Sequence, residues 1–431
     1  MKRLLLAQIC VTVLLAGCGT QTPTAISPPA LPAASGLRPL GAKAHRVDHV
    51  VIIIQENRSV DNLFNGLPGA DTVRYGKATR GRTFRLRLVS LVAPYDLSHR
   101  HQAFEAEYDN GLLDGFNRER SDCTPKQKCP RKKFRAYGYV PQSEVQPYFT
   151  MAERYGFGDR MFQSNQGPSF PAHQYLLSGT STIDQHSLLR AAENPERPGG
   201  GFTGGCNSPP GSHVAVIDPQ GEENQTVYPC FKRISLIDLL VEKSLSWRYY
   251  GHHKYAGLWN APDAVQHIRD SAEYHHDVVT PPTAILDDVA RGDLATVTWV
   301  TPTVKASDHP GGTDGTGPAW VGSVVNAIGK SKFWDDTVIF VVWDDWGGWY
   351  DHVPPPIYNS YELGFRVPLI VISAYAKKGY VSHRQYEFGS ILKFVEKTFN
   401  LGSLGTTDVR ANDLGDFFDY DAPPRKFVRI P

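Results

Sequence analysis

Short apolar runs alternate with segments of helical periodicity along most of this 431-residue chain. The apolar runs predict buried strands, and the periodic segments predict amphipathic helices. Strands are predicted at 49–54, 157–162, 294–300, 337–343 and 367–372, and helices at 143–155, 234–245, 320–334 and 391–399. This alternation is typical of an α/β domain with a mainly parallel sheet and helices on both faces. Residues 73–150 and 185–230 break the rhythm, and we expect loop-rich insertions there.

The first residues carry the pattern of an export signal. A basic pair at 2–3 precedes an apolar run over 4–15, which is too short to span a bilayer as a mature helix. Leu-Ala-Gly at 15–17, followed by Cys18, resembles the processing site of a bacterial lipoprotein. We therefore expect a lipoprotein signal peptide at 1–17 and a membrane anchor through lipid on Cys18. An ordinary secretory signal with an incidental cysteine is the alternative.

The next segment predicts a tether rather than a folded unit. Residues 18–45 are rich in Pro, Ala, Ser and Thr, a composition that gives flexible and partly extended chains. Residues 46–431 are then expected to form a single domain. We expect an exported cell-envelope lipoprotein, in the outer membrane or facing the periplasm. Because Gly19 is not Asp, outer-membrane sorting is favoured over inner-membrane retention if the host is Gram-negative.

The charge balance argues against nucleic acid as a partner. The chain has 45 Lys and Arg against 44 Asp and Glu, a net charge of +1. Proteins that bind nucleic acid need a clustered excess of positive charge to neutralise phosphates. Hydrophobic residues make up 41% of the chain, so it can bury a sizeable core.

Four cysteines remain after the expected signal and anchor. They are Cys123, Cys129, Cys206 and Cys230. An exported protein is expected to form disulfides. Neighbours along the chain would pair as 123–129 and 206–230, but three pairings are possible and spacing alone does not choose. A zinc site is the alternative, although the sequence has no Cys-x-x-Cys or Cys–His spacing that supports one.

Polar residues follow the predicted strands directly. Glu56-Asn57 comes after the first strand and Asp344-Asp345 after the strand at 337–343. Ser169 follows the strand at 157–162, at the expected start of a helix, and His309 lies in the loop after the strand at 294–300. Ligands of open α/β sheets bind beyond the carboxyl ends of the strands. Two adjacent carboxylates repel each other and favour a nearby cation, so a cation site is predicted at this edge. Taken singly, the acidic pairs could be turns, Ser169 a helix cap and the histidines surface residues.

Several common catalytic motifs are absent from the sequence. It has no Gly-x-Ser-x-Gly elbow, no Gly-x-x-x-x-Gly-Lys-Ser/Thr loop and no His-Glu-x-x-His pair. An α/β-hydrolase, a P-loop enzyme and a zinc protease of that type are therefore disfavoured.

Six ordered motifs resemble the bacterial phosphoesterase family. They are HVVIIIQENRSVDNLF, DLSHRHQAFEAEYDNGLLDGF, NQGPSFPAHQYLLSGTS, DHPGG, WDDWGGWYDHVPPP and GFRVPLIVIS. The family contains phosphatidylcholine-type phospholipases C and respiratory-burst-inhibiting acid phosphatases, within the alkaline-phosphatase-like superfamily. The similarity runs from Asp48 to Phe418, which implies an alkaline-phosphatase-like α/β fold and a phosphoesterase catalytic domain.

The resemblance also implies roles for individual residues. It places the metal ligands at Glu56, Asn57, Asp344 and Asp345, the nucleophile at Ser169, and histidines around the phosphate at His99, His309 and His352. The chain departs from the common pattern at three places: Pro171-Ala172-His173 stands for Pro-Asn-Arg, Asp344-Asp345 for Asp-Glu, and Ser307-Asp308-His309 for Ser-Glu-His.

The implied chemistry is metal-dependent hydrolysis of phosphoric esters through a phosphoserine. A serine hydroxyl is a weak nucleophile and needs a metal or base, and His309 or His352 could protonate the leaving oxygen. The divalent cation stays open between Ca, Mg, Mn and Zn. A non-catalytic surface lipoprotein with a decayed site is the rival from another class, but Ser169 and the carboxylates are all present.

The substrate class divides into two alternatives. A phospholipase C acting on phosphatidylcholine-type diesters needs an apolar wall and a site for an ammonium group, which Trp343, Trp346, Trp349 and Tyr350 could supply unless they are simply packed. A monoesterase needs extra donors for the dianion, which the site histidines together with His252 or His253 could supply. The Asp-Asp pair and a chain too short for the C-terminal repeats of large phospholipases C favour acid-phosphatase-like monoesterase activity.

Overall fold

Nine strands form the central sheet of the computed structural model, which describes residues 47–118, 120–123, 127 and 129–431. They are β1 (His49–Gln55), β2 (Gly156–Phe162), β3 (Trp247–Tyr250), β4 (Val278–Val279), β5 (Val297–Val300), β6 (Thr337–Trp343), β7 (Arg366–Ser373), β8 (Tyr380–Ser382) and β9 (Tyr386–Glu387). The spatial order is β4-β3-β5-β1-β6-β7-β2-β8, and β9 also pairs with β2. The predicted signal peptide, Cys18 anchor and tether lie outside the described residues.

Eleven α-helices accompany the sheet within the described residues. They are α1 (Val60–Leu63), α2 (His101–Tyr108), α3 (Gln146–Arg154), α4 (Ser169–Ser178), α5 (Leu236–Glu242), α6 (Gln266–Arg269), α7 (Ala272–Asp277), α8 (Ala284–Arg291), α9 (Gly317–Gly329), α10 (Phe388–Thr398) and α11 (Thr407–Arg410). Helix α9 packs against α3 and α8, while α4 packs against α5 and α10. Among the described residues, no helix is both long enough and apolar enough to cross a membrane.

The middle of the sheet is parallel, as predicted. Strand β1 lies between β5 and β6 and runs parallel to both. Strand β7 runs antiparallel to its two neighbours, which makes the sheet mixed on one side. Successive side chains of a strand point to opposite faces. Every residue of β6 and β7 is buried, so both faces of the central strands are covered, and the predicted α/β class is confirmed.

The two predicted insertions hold small sheets and both disulfides. Strand Tyr75–Ala78 pairs with Arg82–Arg85 in the first insertion, and three short strands, Arg190–Ala191, Val214–Ile217 and Gln225–Val227, pair in the second. Cys123 bonds to Cys129, and Cys206 bonds to Cys230. The expected disulfides are confirmed, and the pairing is the one between chain neighbours.

The bounds of the predicted helices differ from the observed ones. Residues Gln142–Glu144 form a separate 3-10 helix, so the helix predicted at 143–155 begins only at Gln146. The helix predicted at 320–334 is α9, which spans Gly317–Gly329. Helix α5 spans only Leu236–Glu242, since Ser235 caps it in a reciprocal capping box with Asp238.

Candidate active site

The ends of β1 and β6 bring four predicted ligands together. The two strands are parallel neighbours, with Gln55 opposite Trp343, so the residues that follow emerge side by side. Asn57 N donates to Asp344 Oδ1 at 2.9 Å, and Asn57 Nδ2 donates to Asp345 Oδ1 at 3.1 Å. Glu56, Asn57, Asp344 and Asp345 are all completely buried.

The backbone at this edge accepts only particular residues. Asn57 has φ of 61°, in the left-handed region that asparagine tolerates better than most residues. Gly347 has φ of +63°, and a Cβ placed there would lie 2.4 Å from the Asn57 carbonyl oxygen. Its N–H donates to Asp345 Oδ1 at 2.7 Å. The glycine after Asp-Asp-Trp therefore lets the two acidic turns approach closely.

Helix α4 supplies Ser169 to the same place. Ser169 is the first residue of this ten-residue helix and is almost fully buried. Its Oγ donates to Glu56 Oε2 at 3.2 Å and lies 3.4 Å from Asp345 Oδ2. The N-terminus of a helix favours negative charge, so a phosphoryl group near Ser169 would meet a positive potential.

His173 is a site residue that sequence reasoning recorded only as a departure from the family pattern. Its Nε2 lies 3.0 Å from Glu56 Oε1 and 3.9 Å from Asp344 Oδ2, and the side chain is fully buried. His173 follows Ser169 by four residues, and helical residues at that spacing share a face. That spacing was the signal that could have identified it.

The pKa values of the three carboxyl groups are raised. Burial raises the pKa of Glu56 well above its usual range, with a contribution from the charge of Asp345. Burial and the charge of Glu56 raise the pKa of Asp344 to about 8, and burial and the charge of Asp344 raise that of Asp345. Burial lowers the pKa of His173 to about 4, so the imidazole is neutral and does not balance these groups. The site therefore lacks positive charge.

The donor set fits a divalent cation. Asn57 Oδ1 and Asp344 Oδ2 are buried and lack a hydrogen-bond donor among the described residues. Ligand atoms of Glu56, His173 and Asp344 all lie within 4.8 Å of one another. Mutually repelling carboxylates and an unsatisfied amide oxygen are what a bound cation would stabilise.

His99 and His309 flank this group. His99 Nδ1 donates to Leu97 O at 2.8 Å, and His99 Nε2 accepts from Asn57 Nδ2 at 3.2 Å. This bond turns Asn57 Oδ1 away from His99. His309 Nδ1 donates to Pro310 O at 2.8 Å, and the two imidazole centroids are 5.9 Å apart. Asp96 joins them, because ligand atoms of Asp96, His99 and His309 lie within 4.8 Å of one another.

Buried hydrogen bonds to Asp308 hold the loop that carries His309 in place. Tyr148 Oη and Trp343 Nε1 donate to Asp308 Oδ2 at 2.9 and 3.0 Å. Arg58 donates through Nε and an Nη to the Asp308 carbonyl oxygen. Burial raises the pKa of the Asp308 carboxyl to about 6, although the charge of Arg58 opposes this shift. These bonds position His309 beside the metal-ligand candidates.

The structure places His352 in a different cluster. Its Nδ1 lies 2.6 Å from Asp61 Oδ2, and its Nε2 lies 3.1 Å from Asp71 Oδ1. Arg366 bonds to Asp351 at 2.7 Å and lies 3.6 Å from Asp61 Oδ2 in the same cluster. His352 is thus not brought together with Ser169 and the acidic ligands, in contrast to His99 and His309.

The aromatic residues around the acidic pair are packed rather than open to a ligand. Trp343, Trp346, Trp349 and Tyr350 are essentially inaccessible to solvent. Trp346 Nε1 donates to Glu107 at 2.6 Å, and Lys77 N donates to the Tyr350 hydroxyl at 3.0 Å. Their burial therefore indicates that these side chains pack in the core and do not form a lipid-facing wall. By contrast, His252 and His253 are exposed and line a cavity of about 210 Å³ with Trp259.

Comparisons with known proteins agree with the motif resemblance. A family model described as the phosphoesterase family matches residues 47–402. A non-hemolytic phospholipase C of Pseudomonas aeruginosa is 23% identical over 489 residues, covering 96% of this chain and 63% of that protein. Phospholipase C A of Mycobacterium tuberculosis is 24% identical, covering 92% of this chain and 82% of that protein.

A solved structure of a Vibrio parahaemolyticus protein in the alkaline phosphatase superfamily is 10% identical, with a TM-score of 0.40, over 87% of this chain and 74% of that one. The chain spans less than two thirds of the length of the two Pseudomonas aeruginosa phospholipases C that it matches. The family match covers most of the chain and confirms the resemblance seen in the motifs. The chain therefore belongs to the phosphoesterase family, and this placement supports phosphoric ester hydrolysis as its enzymatic class.

Proposed function

We propose that this protein hydrolyses phosphoric esters through Ser169, with a divalent cation held by Glu56, Asn57, Asp344 and Asp345. The observation that carries the proposal is the contact of Ser169 Oγ with Glu56 Oε2 at 3.2 Å, inside a buried group of three carboxylates. A buried serine bonded to an acidic cluster has little value for packing. It is the arrangement that a nucleophile next to a cation requires.

The residues divide the chemistry between them. A divalent cation, when bound, polarises a phosphoryl oxygen and neutralises negative charge. Ser169 Oγ attacks phosphorus as its proton passes to a carboxylate oxygen of Glu56, and the bond from phosphorus to the leaving oxygen breaks. Water then attacks the phosphoserine, which restores the Ser169 hydroxyl and releases phosphate or its monoester.

His309 is the side chain that we assign to the leaving oxygen. Its Nδ1–H is held by the Pro310 carbonyl, so the proton available for transfer is the one on Nε2 of the protonated ring. His99 is not assigned to this proton transfer, because its Nε2 accepts a hydrogen bond from the Asn57 amide. We therefore assign His99 to orienting Asn57, so that the amide oxygen faces the cation.

The site favours phosphate monoesters as substrates, which corresponds to acid-phosphatase-like activity. Trp343, Trp346, Trp349 and Tyr350 were expected to form an apolar wall for a diacylglycerol leaving group. They are buried in the core, so they do not support a lipid substrate. Phospholipase C activity on choline-type diesters is the second candidate, because the relatives from Pseudomonas aeruginosa and Mycobacterium tuberculosis are phospholipases C. Both candidates use the same nucleophile.

One assay tests the proposal and separates the two substrates. The catalytic efficiency of the purified protein is measured on nitrophenyl phosphate and on nitrophenyl phosphorylcholine, with Ser169→Ala and chelator-treated protein as controls. We expect faster turnover of the monoester, and loss of at least about 10³-fold in Ser169→Ala while fold and bound metal persist. A tenfold preference for the diester, with phosphatidylcholine cleaved to diacylglycerol, would make phospholipase C the function. Near-native activity of Ser169→Ala would exclude the serine mechanism.

A further inference from the structure

A nitrogen atom stands among the oxygen ligands of the candidate cation site. His173 Nε2 lies 3.0 Å from Glu56 Oε1 and 3.9 Å from Asp344 Oδ2, and all three side chains are fully buried. The residue comes from α4, one helical turn after Ser169, and not from the strand ends that supply the acidic ligands. The resemblance to the family did not predict a ligand at this position, where arginine is common.

We infer that His173 is a direct ligand of the cation, and that it makes the site select a divalent transition metal such as Zn²⁺ over Mg²⁺ and Ca²⁺. The inference rests on the proposed function for the existence of a cation at Glu56 and Asp344. It deepens that proposal by naming the class of metal. An all-oxygen cage of carboxylates and an amide would suit the hard ions Mg²⁺ and Ca²⁺.

The distances match ligands that share one ion. Metal bonds to carboxylate oxygen and imidazole nitrogen are about 2.0–2.2 Å long, so two ligand atoms on the same ion must lie within about 4 Å of each other. The separations of His173 Nε2 from Glu56 and from Asp344 both satisfy this limit. A histidine whose only task was to pair with Glu56 would not need to lie within reach of Asp344 as well.

The surroundings of His173 allow Nε2 to act as a ligand. Its Nε2 contacts Glu56, while its Nδ1 has no hydrogen-bond partner among the described residues. The ring can therefore carry its proton on Nδ1 and present the lone pair of Nε2 to a cation. The ring is stacked near Trp259, with centroids 6.5 Å apart, which holds its plane without engaging either nitrogen. Imidazole is a ligand that Zn²⁺ binds strongly and that Mg²⁺ and Ca²⁺ rarely use.

The test compares metal affinities of wild-type protein and His173→Gln. Zn²⁺ affinity is measured by competition with a chromogenic chelator, and Mg²⁺ and Ca²⁺ affinities by titration calorimetry of metal-free protein. Glutamine reaches the position of Nε2 and can still donate to Glu56, but it removes the nitrogen ligand. We expect Zn²⁺ affinity to fall at least about tenfold, and Mg²⁺ and Ca²⁺ affinities to change less than about threefold. His267→Gln, at a partly exposed histidine that pairs with Asp238, is the matched control for non-specific Zn²⁺ binding.

A spectroscopic measurement on the wild-type protein does not depend on the variant folding. X-ray absorption of the Zn²⁺-loaded wild-type protein should show scattering from an imidazole ring. Where His173→Gln folds, this signal should be weaker in the variant. Equal Zn²⁺ affinity in the two proteins, or a zinc shell of oxygen atoms alone, would overturn the inference and leave His173 as a hydrogen-bond donor to Glu56. Phosphoric ester hydrolysis by wild-type protein and its loss in Ser169→Ala would still stand in that case, so the two proposals fail separately.

Discussion

At the scale of single residues, burial of the acidic cluster is unfavourable unless a cation compensates the negative charge of its carboxylates. Asp344 shows this most clearly. Its Oδ1 accepts from the backbone N–H groups of Asn57 and Asp345, while its Oδ2 meets no donor in the part of the chain that the structure describes. One oxygen is used to build the turn and the other faces the candidate cation position. The residue therefore joins the fold of the strand ends to the chemistry of the site.

Replacing Asp344 with asparagine should weaken the cation site. The variant loses one negative charge and places either an amide N–H or a poorer oxygen donor toward the ion. We expect metal affinity to fall about 10- to 100-fold and catalytic efficiency by about 100-fold or more. Metal content after dialysis against a weak chelator measures the first, and nitrophenyl phosphate hydrolysis the second. Asp71→Asn, a change at a carboxylate that bonds Arg160 and His352, is the control; an equal loss of metal there would contradict the assignment.

His352 gives a second prediction at this scale. Burial alone would lower its pKa, but the hydrogen bond that its Nδ1–H donates to Asp61 and the charges of Asp61 and Asp351 outweigh burial, and the pKa is raised. A raised histidine pKa means that the folded state holds the proton more tightly, so its stabilising effect is present at low pH and is lost as pH rises through the folded pKa.

His352→Gln should therefore lower the melting temperature at pH 5.5 by more than it does at pH 8.5. It should also retain more phosphoester hydrolysis than His309→Gln, because the structure holds His352 in the Asp61 cluster. Thermal melts at pH 5.5 and pH 8.5 test the predicted stability difference. Parallel assays of phosphoester hydrolysis compare His352→Gln with His309→Gln. If His352→Gln lost activity as completely as His309→Gln with no pH-dependent loss of stability, the role implied by the family resemblance would be right.

At the scale of elements, the strands were predictable and the partners of the helices were not. The run at 49–54 is rich in β-branched residues, and a parallel neighbour at 337–343 necessarily ends at the same edge, so Glu56 and Asp344 could be placed together from sequence. The periodicity of α4 shows that Ser169 and His173 share a face, but not which residues lie opposite. His309 and His352 lie in separate loops, and only the packing of those loops separates their surroundings.

A carboxyl group in one of the two C-terminal helices should make the stability of the fold depend on pH. Glu396 in α10 accepts a hydrogen bond from Leu404 N at 3.1 Å. Burial raises the pKa of Glu396 to about 7, with a further contribution from the charge of Asp408 in α11, against 4.5 for an ordinary glutamate. Between these values the folded state binds more protons than the unfolded state, so stability should fall as pH rises from 4.5 to 7.

Glu396→Gln should remove this fall. The neutral amide keeps an acceptor for Leu404 N but carries no charge to desolvate, so the variant should match the wild type near pH 5 and exceed it at pH 8 by on the order of 1–2 kcal/mol. Urea unfolding at the two pH values gives the comparison. Glu153→Gln, at an exposed position of α3, controls for the change in net charge. Identical pH slopes for wild type and Glu396→Gln would rule out this residue as the source.

At the scale of the whole molecule, the site is assembled from residues far apart in the chain. The parallel pairing of β1 with β6 brings Glu56 and Asp344 together, although they lie far apart in the chain. The first residue of α4 then adds Ser169. The two disulfides lie in the insertions and not in this sheet. Disulfides are typical of exported proteins, which agrees with the proposal that the chain leaves the cytoplasm.

We propose that the protein is anchored to a membrane through Cys18, which follows Leu-Ala-Gly at 15–17 and is the first residue of the Pro-rich segment 18–45. Lipid attached to this cysteine would hold the catalytic domain at a membrane surface, since acyl chains insert into bilayers. Cys18→Ser should accumulate as an unprocessed precursor, larger than the wild-type product by the mass of the signal peptide and without incorporated labelled fatty acid. Cys10→Ser, a change inside the apolar run at 4–15, is the matched control and should be processed and labelled normally. The measurement is fatty-acid labelling with fractionation of membranes. A Cys18→Ser protein that is cleaved normally and released in soluble form would show that the segment is an ordinary secretory signal and that Cys18 is incidental.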